Sequence, residues 1–388
     1  MPSNSETYLA LNSRVCLKKL EFPSVYKPEA DELYEVDALG FEELSRCDGT
    51  YEMSSVRMTR DFMEFCFTEG ILRRNTLPSK KLIRVGRNEI PSLRYLMVEV
   101  TDRCNLSCAH CYVGEGKGKD MDVGMLSALA EEFENMGGLR FILTGGEPLL
   151  HPRFGEINQL LMGRDFRSIL LTNGTLVDCE IASEIQFDEV QVSIDGMRQG
   201  HEIIRGRGTF DQVVKGLEHL REAGVPVSVA TMIHRKNLTE LKALGSFIRS
   251  YGVIGWALDV PCSAGRLEGK EEFIIPEARE AIRYLNLSFG SEQHESTGNY
   301  TCGAHLACVK VSGVLTKCGF YDDWNGGNVS EGLREAWRRL PKIVIDELEC
   351  DCAFLDECRG GCRYRAELHS NSKGPDPLAC AKYLGKFD

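Results

Sequence analysis

Between Leu93 and about residue 290, short apolar runs alternate with stretches whose apolar residues recur every three to four positions. No other feature restricts the fold as much. Tyr95 to Val100, Leu139 to Thr144, Ile169 to Thr172, the period-two run Val190, Val192, Ile194, then Val225 to Thr231 and Val253 to Val260 predict six strands. The stripe Leu126, Leu129, Phe133 and Met136, the stripe Phe210, Val213, Val214, Leu217 and Leu220, and the stretch Leu238 to Ile248 predict helices between them. Strands that alternate with helices make a parallel sheet with right-handed crossovers. The expected fold class is α/β, a partial (β/α)6 barrel with ligands at the C-terminal ends of its strands.

Both flanks read differently. Residues 1–75 carry β-like runs, Arg14 to Lys18 and Leu33 to Val36, and two helix-like stretches. One runs from Ala38 to Cys47 and stops at the turn dipeptide Asp48-Gly49; in the other, Phe62, Phe65 and Cys66 share a helix face before Gly70. This predicts a small α+β module, followed by a basic, proline-containing linker over 76–92. The barrel is expected over 93–290. Past it, over 291–388, cysteine, glycine and aromatic residues dominate, and metal ligation could supply the constraint that apolar packing lacks.

The 388 residues include 16 cysteines. Met1 to Leu11 has no basic segment followed by an apolar one, so no signal peptide is expected and the expected location is cytoplasmic. In that setting metal or cluster ligation is the leading explanation of the cysteines, ahead of disulfides. No apolar run reaches the roughly 18 residues of a membrane span. The net charge of −12 opposes binding to nucleic acid or to an anionic membrane.

Directly after the first barrel strand stands Cys104-Asn-Leu-Ser-Cys108-Ala-His110-Cys111. Three thiolates at this spacing can hold three corners of a [4Fe–4S] cluster, leaving the fourth iron open. The plainer reading is three incidental cysteines. With Tyr112 behind it, the triplet resembles the signature of the radical S-adenosylmethionine superfamily. That resemblance implies that the open iron chelates the amino and carboxylate groups of S-adenosylmethionine. An electron then cleaves the sulfonium, and the resulting 5′-deoxyadenosyl radical abstracts hydrogen from the substrate.

Thr144-Gly145-Gly146-Glu147-Pro148 ends the second strand, where glycines allow close backbone approach and Glu147 can meet an ammonium. In the family this loop receives the methionine amino group. Thr172-Asn173-Gly174 and Ser193-Ile-Asp195-Gly196 match the family's later loops, where a ribose and a carboxylate are held. Arg205 is a candidate for the methionine carboxylate, because a guanidinium pairs with it bidentately. His110 stands where the family often carries an aromatic near the adenine. The loop residues and Arg205 also have a plainer reading as cap or turn residues, and His110 as a lone solvent-facing histidine.

Beyond the barrel come Cys302, Cys308, Cys318, Cys350, Cys352, Cys358, Cys362 and Cys380. Eight cysteines match the ligand count of two cubane clusters, with tetrahedral zinc as the rival. Their arrangement resembles the SPASM extension of radical S-adenosylmethionine enzymes. That resemblance implies one auxiliary iron–sulfur cluster on Cys302, Cys308, Cys318 and Cys362 and another on Cys350, Cys352, Cys358 and Cys380. One departure is Cys350-Asp-Cys352, with one residue between the thiols where the family has two, which leaves the second cluster's type open. Cys16, Cys47, Cys66, Cys179 and Cys262 have no ligand spacing. Cys262 is at a strand end that faces the expected site.

Residues 7–75 resemble the winged-helix peptide chaperone of pyrroloquinoline quinone biosynthesis, which implies a precursor peptide whose leader adds as a strand to the small sheet. A winged helix also suits DNA, but the acidic run from Glu29 to Asp37 opposes that. A structural N-terminal cap is the plain alternative. The expected function is a peptide maturase that forms a cross-link or another oxidative modification, with ferredoxin or flavodoxin as electron donor. The alternatives are a radical decarboxylase of haem biosynthesis and a non-catalytic iron–sulfur carrier. No catalytic acid or base stands out: His234, Arg235 and Asp259 lie near strand ends, and Asn237 is expected to cap the helix at Leu238.

Overall fold

A computed structural model describes residues 6–114, 116–290, 294, 298–301 and 303–384. The N-terminal elements are, in chain order, β1 (Tyr8–Leu11), β2 (Cys16–Lys19), β3 (Pro23–Lys27), β4 (Glu32–Glu35), α1 (Ala38–Leu44), β5 (Asp48–Glu52), α2 (Arg60–Thr68), β6 (Leu72–Asn75) and β7 (Val85–Arg87). β1 pairs antiparallel with β5 on one side and β6 on the other. A second sheet has the order β4-β3-β2-β7. Asp37 and Thr59 cap the two helices through their side-chain oxygens. Leu9, Leu17, Val25, Phe41, Leu44 and Ile71 form a core of the module's own, which also buries Cys47 and Cys66.

The stretch read as a linker is partly structured. Ser79 and Lys81 donate from their backbones to Gly49 and Asp48 along β5, and residues 85–87 are β7, parallel to β2. Three residues paired with a strand 68 positions away leave no periodicity to read.

The following elements are β8 (Tyr95–Thr101), α3 (Val123–Asn135), β9 (Arg140–Gly145), α4 (Phe154–Leu161), β10 (Arg167–Thr172), α5 (Cys179–Glu184), β11 (Glu189–Ser193), α6 (Arg198–Arg205), α7 (Thr209–Glu222), β12 (Val227–Met232), α8 (Leu241–Ser250) and β13 (Gly255–Asp259). After α9 (Glu271–Ile274) and α10 (Ala278–Leu285) come β14 (Leu306–Val309), β15 (Val314–Thr316) and β16 (Asn325–Asn328). The last helices are α11 (Leu333–Arg339), α12 (Leu355–Cys358), α13 (Arg363–His369) and α14 (Pro377–Leu384).

β8 to β13 are six parallel neighbours in chain order. The cysteine-rich segment does not stand apart from them. β14 pairs parallel to β8, and β15 and β16 extend the sheet to nine strands, with Ala307, Val309 and Leu315 in the main core. Alternate residues of a strand point to opposite faces. Leu96, Val98, Leu143, Val192, Val229 and Trp256 pack in the main core. Met97, Glu99, Ile142, Thr144, Gln191, Ser193, Ala257 and Asp259 therefore share the other, inner face.

The N-terminal module closes the starting ends of these strands. Arg167 donates through Nη1 to the carbonyls of Pro28 (2.9 Å) and Glu29 (2.8 Å), and Arg140 pairs with Asp31 at 2.5 Å. Lys18, 1% exposed, donates to the carbonyls of Gly138 and Asp165, just ahead of β9 and β10. Glu21 accepts from Ser92 N (2.6 Å), Ser92 Oγ (2.8 Å) and Arg94 Nη2 (2.6 Å), all beneath β8. Removing one partner of a buried ion pair leaves the other charge desolvated. Glu21→Ala is therefore expected to lower the free energy of unfolding by about 3–5 kcal/mol in a denaturant titration. A loss below about 1 kcal/mol would show that this contact does not hold the module to the sheet.

Candidate functional site

The opposite ends of the strands carry the candidate residues. The cysteine loop leaves β8, and the glycine loop of β9 is pressed against it. Gly146 N donates to Thr101 O and Glu147 N to Arg103 O, both at 2.8 Å. Gly145 has φ +145°, and a Cβ there would stand 2.3 Å from Thr101 O; at Gly146 it would stand 2.3 Å from Arg103 O. Only glycine allows the two loops to lie this close.

Glu147 is fully buried. It accepts from Leu149 N (3.2 Å), Thr172 Oγ1 (2.8 Å) and Asn173 N (2.8 Å), which fixes the end of β10 to that of β9. A carboxylate offers about four acceptor positions, so about one remains. Burial pushes its pKa up to about 7, against the lowering effect of these donors. Asn173 Nδ2 donates to Asn105 Oδ1 (2.9 Å), which ties this loop to the cysteines.

Asp195 is also fully buried and differs from the expected open ligand. Its Oδ2 accepts from Arg205 Nε (2.5 Å) and its Oδ1 from Met232 N (2.8 Å). Burial would raise its pKa, but Arg205, with His110 and His201, brings it well below the usual carboxylate range. The pairing leaves the two terminal amino groups of Arg205 without a partner among the described residues, within the electrostatic field of Cys104 and Cys108. Ser193 is half-buried on the inner face, and no described residue bonds its hydroxyl. His110 lies closer in than a surface residue would. Its Nδ1 is buried and unpartnered, and burial pushes its pKa down to about 4.

Asn237 is not the cap that its position suggests. His234 N donates to its Oδ1 (2.9 Å), and its Nδ2 donates to the carbonyls of Asp195 (2.5 Å) and Met232 (2.8 Å). It clamps the ends of β11 and β12 together. His234 is buried and bonded to Gly200 O (3.1 Å), and Arg235 binds the carbonyls of Glu272 and Ile275 (both 2.8 Å).

Cys104 is exposed, Cys108 buried and Cys111 between the two. Cys104 and Cys108 each feel the charge of Cys111, and burial pushes the Cys108 thiol up to about 11. A cleft of about 420 Å³ opens beside Cys104, Cys111, Gly146 and Arg266. Thiols around a surface cleft, a carboxylate with spare acceptor capacity and a guanidinium with free amino groups suit a cubane cluster with an amino-acid ligand on its open iron.

An aromatic run joins this loop to the C-terminal cysteines: Tyr112 and Phe320 are 4.8 Å apart between centroids, and Phe320 and Tyr364 4.9 Å. Cys308 is fully buried on the inner face at 3.9 Å from Glu99, in a common field with Cys318, which in turn shares one with Cys362. Cys380 and Cys350 each feel the other together with Cys352 and Cys358. Cys302 lies outside the described residues. Among the described residues, no three Cys, His, Asp or Glu side chains converge as ligands of one metal ion do.

No motif in the sequence marks Asp259 beyond its place near a strand end. It is on the inner face at the end of β13, its side chain 60% exposed, and its Oδ1 accepts from Val260 N (2.7 Å) and Arg365 Nη1 (3.1 Å). Oδ2 makes no hydrogen bond among the described residues. Glu99, Glu147 and Asp195, the other carboxylates here, are buried and engaged. Their pairing partners, more than the strand-end position, single out Asp259.

Residues 98–248 match the Radical SAM superfamily. The chain is similar to the Fe-coproporphyrin III synthase of Methanosarcina barkeri, at 27% identity over 80% of this chain and 92% of the relative. It is similar to the mycofactocin maturase MftC of Mycobacterium tuberculosis, at 26% identity over 78% and 86%. SuiB of Streptococcus suis, solved with S-adenosylmethionine, has the same fold at a TM-score of 0.69, with 13% identity over 96% of this chain and 99% of that one. Among the described residues, no helix is long and apolar enough to cross a membrane.

Proposed function

We propose that this radical S-adenosylmethionine enzyme is a peptide maturase, which takes a hydrogen atom from a residue of a precursor peptide and leaves a cross-link or another oxidative modification. Similarity to MftC supports the reading. The observation that carries it is the open edge of β4. Beside that edge Tyr34 packs edge-on against Phe65 (5.6 Å) and Phe65 stacks on Phe62 (6.3 Å), with Phe65 36% and Leu39 46% exposed. A leader adding to β4 gains main-chain hydrogen bonds and sets alternate side chains against these rings.

The superfamily implies a [4Fe–4S] cluster and S-adenosylmethionine. Bound together, they supply the radical that abstracts hydrogen. Cys104, Cys108 and Cys111 hold three irons. Glu147 offers its remaining acceptor position to the methionine ammonium, and Arg205 its amino groups to the carboxylate. Gly145 and Gly146 keep the loop low. Thr172, Asn173 and Ser193 line the ribose, and His110 lies near the adenine. Asp259 would accept at Oδ2 the proton that the substrate radical loses as an auxiliary cluster takes its electron. In the C-terminal segment, Cys302, Cys308, Cys318 and Cys362 hold one auxiliary cluster and Cys350, Cys352, Cys358 and Cys380 the other. The fields that Cys318 shares with Cys362, and that Cys350 and Cys380 share with Cys352 and Cys358, favour this division.

The test uses the anaerobic full-length enzyme as bait in host lysate. The expected result is a short ribosomal peptide whose mass changes when S-adenosylmethionine and reductant are added. Interface aromatics often contribute about 2 kcal/mol, so Phe65→Ala is expected to weaken leader binding about 30-fold. Its S-adenosylmethionine cleavage without peptide should match that of the parent enzyme. The similarity to Fe-coproporphyrin III synthase favours a second reading, a haem-pathway radical enzyme. Retention of a tetrapyrrole, visible by its Soret band, with no peptide modified, would replace the first reading with the second.

A further inference from the structure

We infer that Arg365 is a positioning residue, which holds Asp259 with Oδ2 free to take a proton and ties that carboxylate to the loop of Cys362. The assignment rests on the roles proposed above for Asp259 and Cys362, and it supplies the group that sets one against the other. Asp259 ends β13, and Arg365 lies in the first turn of α13, three residues beyond Cys362. The two side chains meet across 106 positions of sequence.

The guanidinium is anchored before it reaches Asp259. Its Nε donates to both oxygens of Asp376 (3.2 and 3.3 Å), and Nη2 donates to Oδ2 of the same carboxylate (3.2 Å). The Asp376 side chain is fully buried, and it also accepts from Cys362 N (2.8 Å) and Leu378 N (3.1 Å). A buried carboxylate satisfied by this many donors is held in one arrangement, and the planar guanidinium bonded to it has one direction. Nη1, the nitrogen left over, donates to Asp259 Oδ1 (3.1 Å). Arg365 therefore places Asp259; Asp259 does not place Arg365.

Stability is a poor explanation of this contact. The Asp259 side chain is 60% exposed, and ion pairs so open to solvent contribute little. What the contact fixes is the spare oxygen: Val260 N (2.7 Å) and Arg365 both bond Oδ1, so Oδ2 remains as the acceptor. Arg365 also lies in the electrostatic field of Cys362. When a substrate radical closes a bond to a second group X–H, the bond to X forms, X–H breaks, and one proton and one electron leave. The proton goes to Oδ2 and the electron to the cluster proposed on Cys362. The carboxylate loses a negative charge as the cluster gains one, so the total charge that faces Arg365 stays constant.

The test uses the reconstituted holoenzyme and the peptide that the full-length enzyme retains from lysate. The first readout is modified peptide formed per 5′-deoxyadenosine, a ratio that falls when hydrogen is abstracted but the radical is not carried on to product. Arg365→Gln should lower this ratio about fivefold. Asp259→Asn should lower it at least as far, and in that background Arg365→Gln should lower it no further. The second readout needs no peptide. In a redox titration followed by electron paramagnetic resonance, Arg365→Gln should shift an auxiliary cluster to lower potential, because a positive charge near Cys362 is lost. Arg365→Lys keeps the charge but cannot fork to both carboxylates, so it should hold the potential and still lower the ratio about twofold; it carries the comparison if the Gln variant does not load iron. Additive losses in the double variant, an unchanged ratio in the Arg365 variants where Asp259→Asn lowers it, or an unchanged potential in Arg365→Gln overturns the proposal. An unchanged ratio in Asp259→Asn would instead refute the acceptor beneath it. A parent enzyme that modifies no peptide would refute the maturase reading, and the potentials would then judge Arg365 alone.

Discussion

Cys108→Ala is expected to give a folded chain that has lost about four irons and forms no 5′-deoxyadenosine. A cubane held at three protein corners keeps one iron for its substrate, and with two protein corners it is no longer anchored in one orientation. Cys108 is the buried member of the triplet, so the alanine removes a ligand without opening the loop to solvent. Iron and sulfide analysis and the electron paramagnetic resonance spectrum of the reduced enzyme separate loss of the cluster from loss of the fold. A variant that still cleaves S-adenosylmethionine would refute the ligand assignment. The pH dependence of loading follows from the same burial. With its pKa at about 11, the free Cys108 thiol is protonated at neutral pH and must release a proton to bind metal. Proton release on binding means that affinity rises with pH. Reconstitution at pH 8.5 is therefore expected to be more complete than at pH 6.5.

Glu147→Gln is expected to move stability and function in opposite directions. The carboxyl has an ordinary pKa of 4.5 and one of about 7 when buried in the fold. Between those values the folded chain holds a proton that the unfolded chain has lost, so stability falls as pH rises through this window and levels off above about 7. The full difference is about 3 kcal/mol. A neutral glutamine carries no such penalty and can still accept from Asn173 N, although its amide nitrogen then faces Leu149 N and offsets part of the gain. At pH 8 the variant should resist denaturant better than the parent by up to about 3 kcal/mol, with the gain vanishing near pH 4. It should also lose S-adenosylmethionine binding by at least about tenfold, because an ammonium meets a carboxylate by a charge-assisted bond. Equal binding by both forms would remove Glu147 from the ligand's amino group.

The strand ends were readable because the chemistry there is local. The cysteine triplet follows β8, the glycine loop ends β9, and Asn173 and Ser193 close β10 and β11, each within a few residues of an apolar run that announces its own end. Partnerships across the sheet were not readable. Asp195 and Arg205 are ten residues apart, and either could have faced a ligand; only the fold shows that one neutralises the other. Asn237 stands before a helix, as a cap does, yet its amide reaches Asp195 O, 42 positions back. Arg140 and Arg167 begin apolar strands and look like surface residues, and the turn they hold, at Pro28 to Asp31, is more than a hundred residues away. Likewise, nothing in residues 306–316 announces that β14 continues the sheet beyond β8, since its partner is some 200 positions earlier.

Small N-terminal modules are often treated as interchangeable parts, joined to a larger unit by any sufficiently long tether. The underside of this sheet resists such exchange. The turn from Pro28 to Asp31, the ammonium of Lys18 and the carboxylate of Glu21 all bond groups of the catalytic part, and β7 lies beyond the point at which a designer would cut. A chimera with a foreign head would leave Arg140, Arg167 and Arg94 facing surfaces that had not evolved to meet them. On the leader-binding proposal, an exchanged head would have to carry over the side chains at the rim of β4 together with the bonds of Lys18, Glu21 and the Pro28–Asp31 turn.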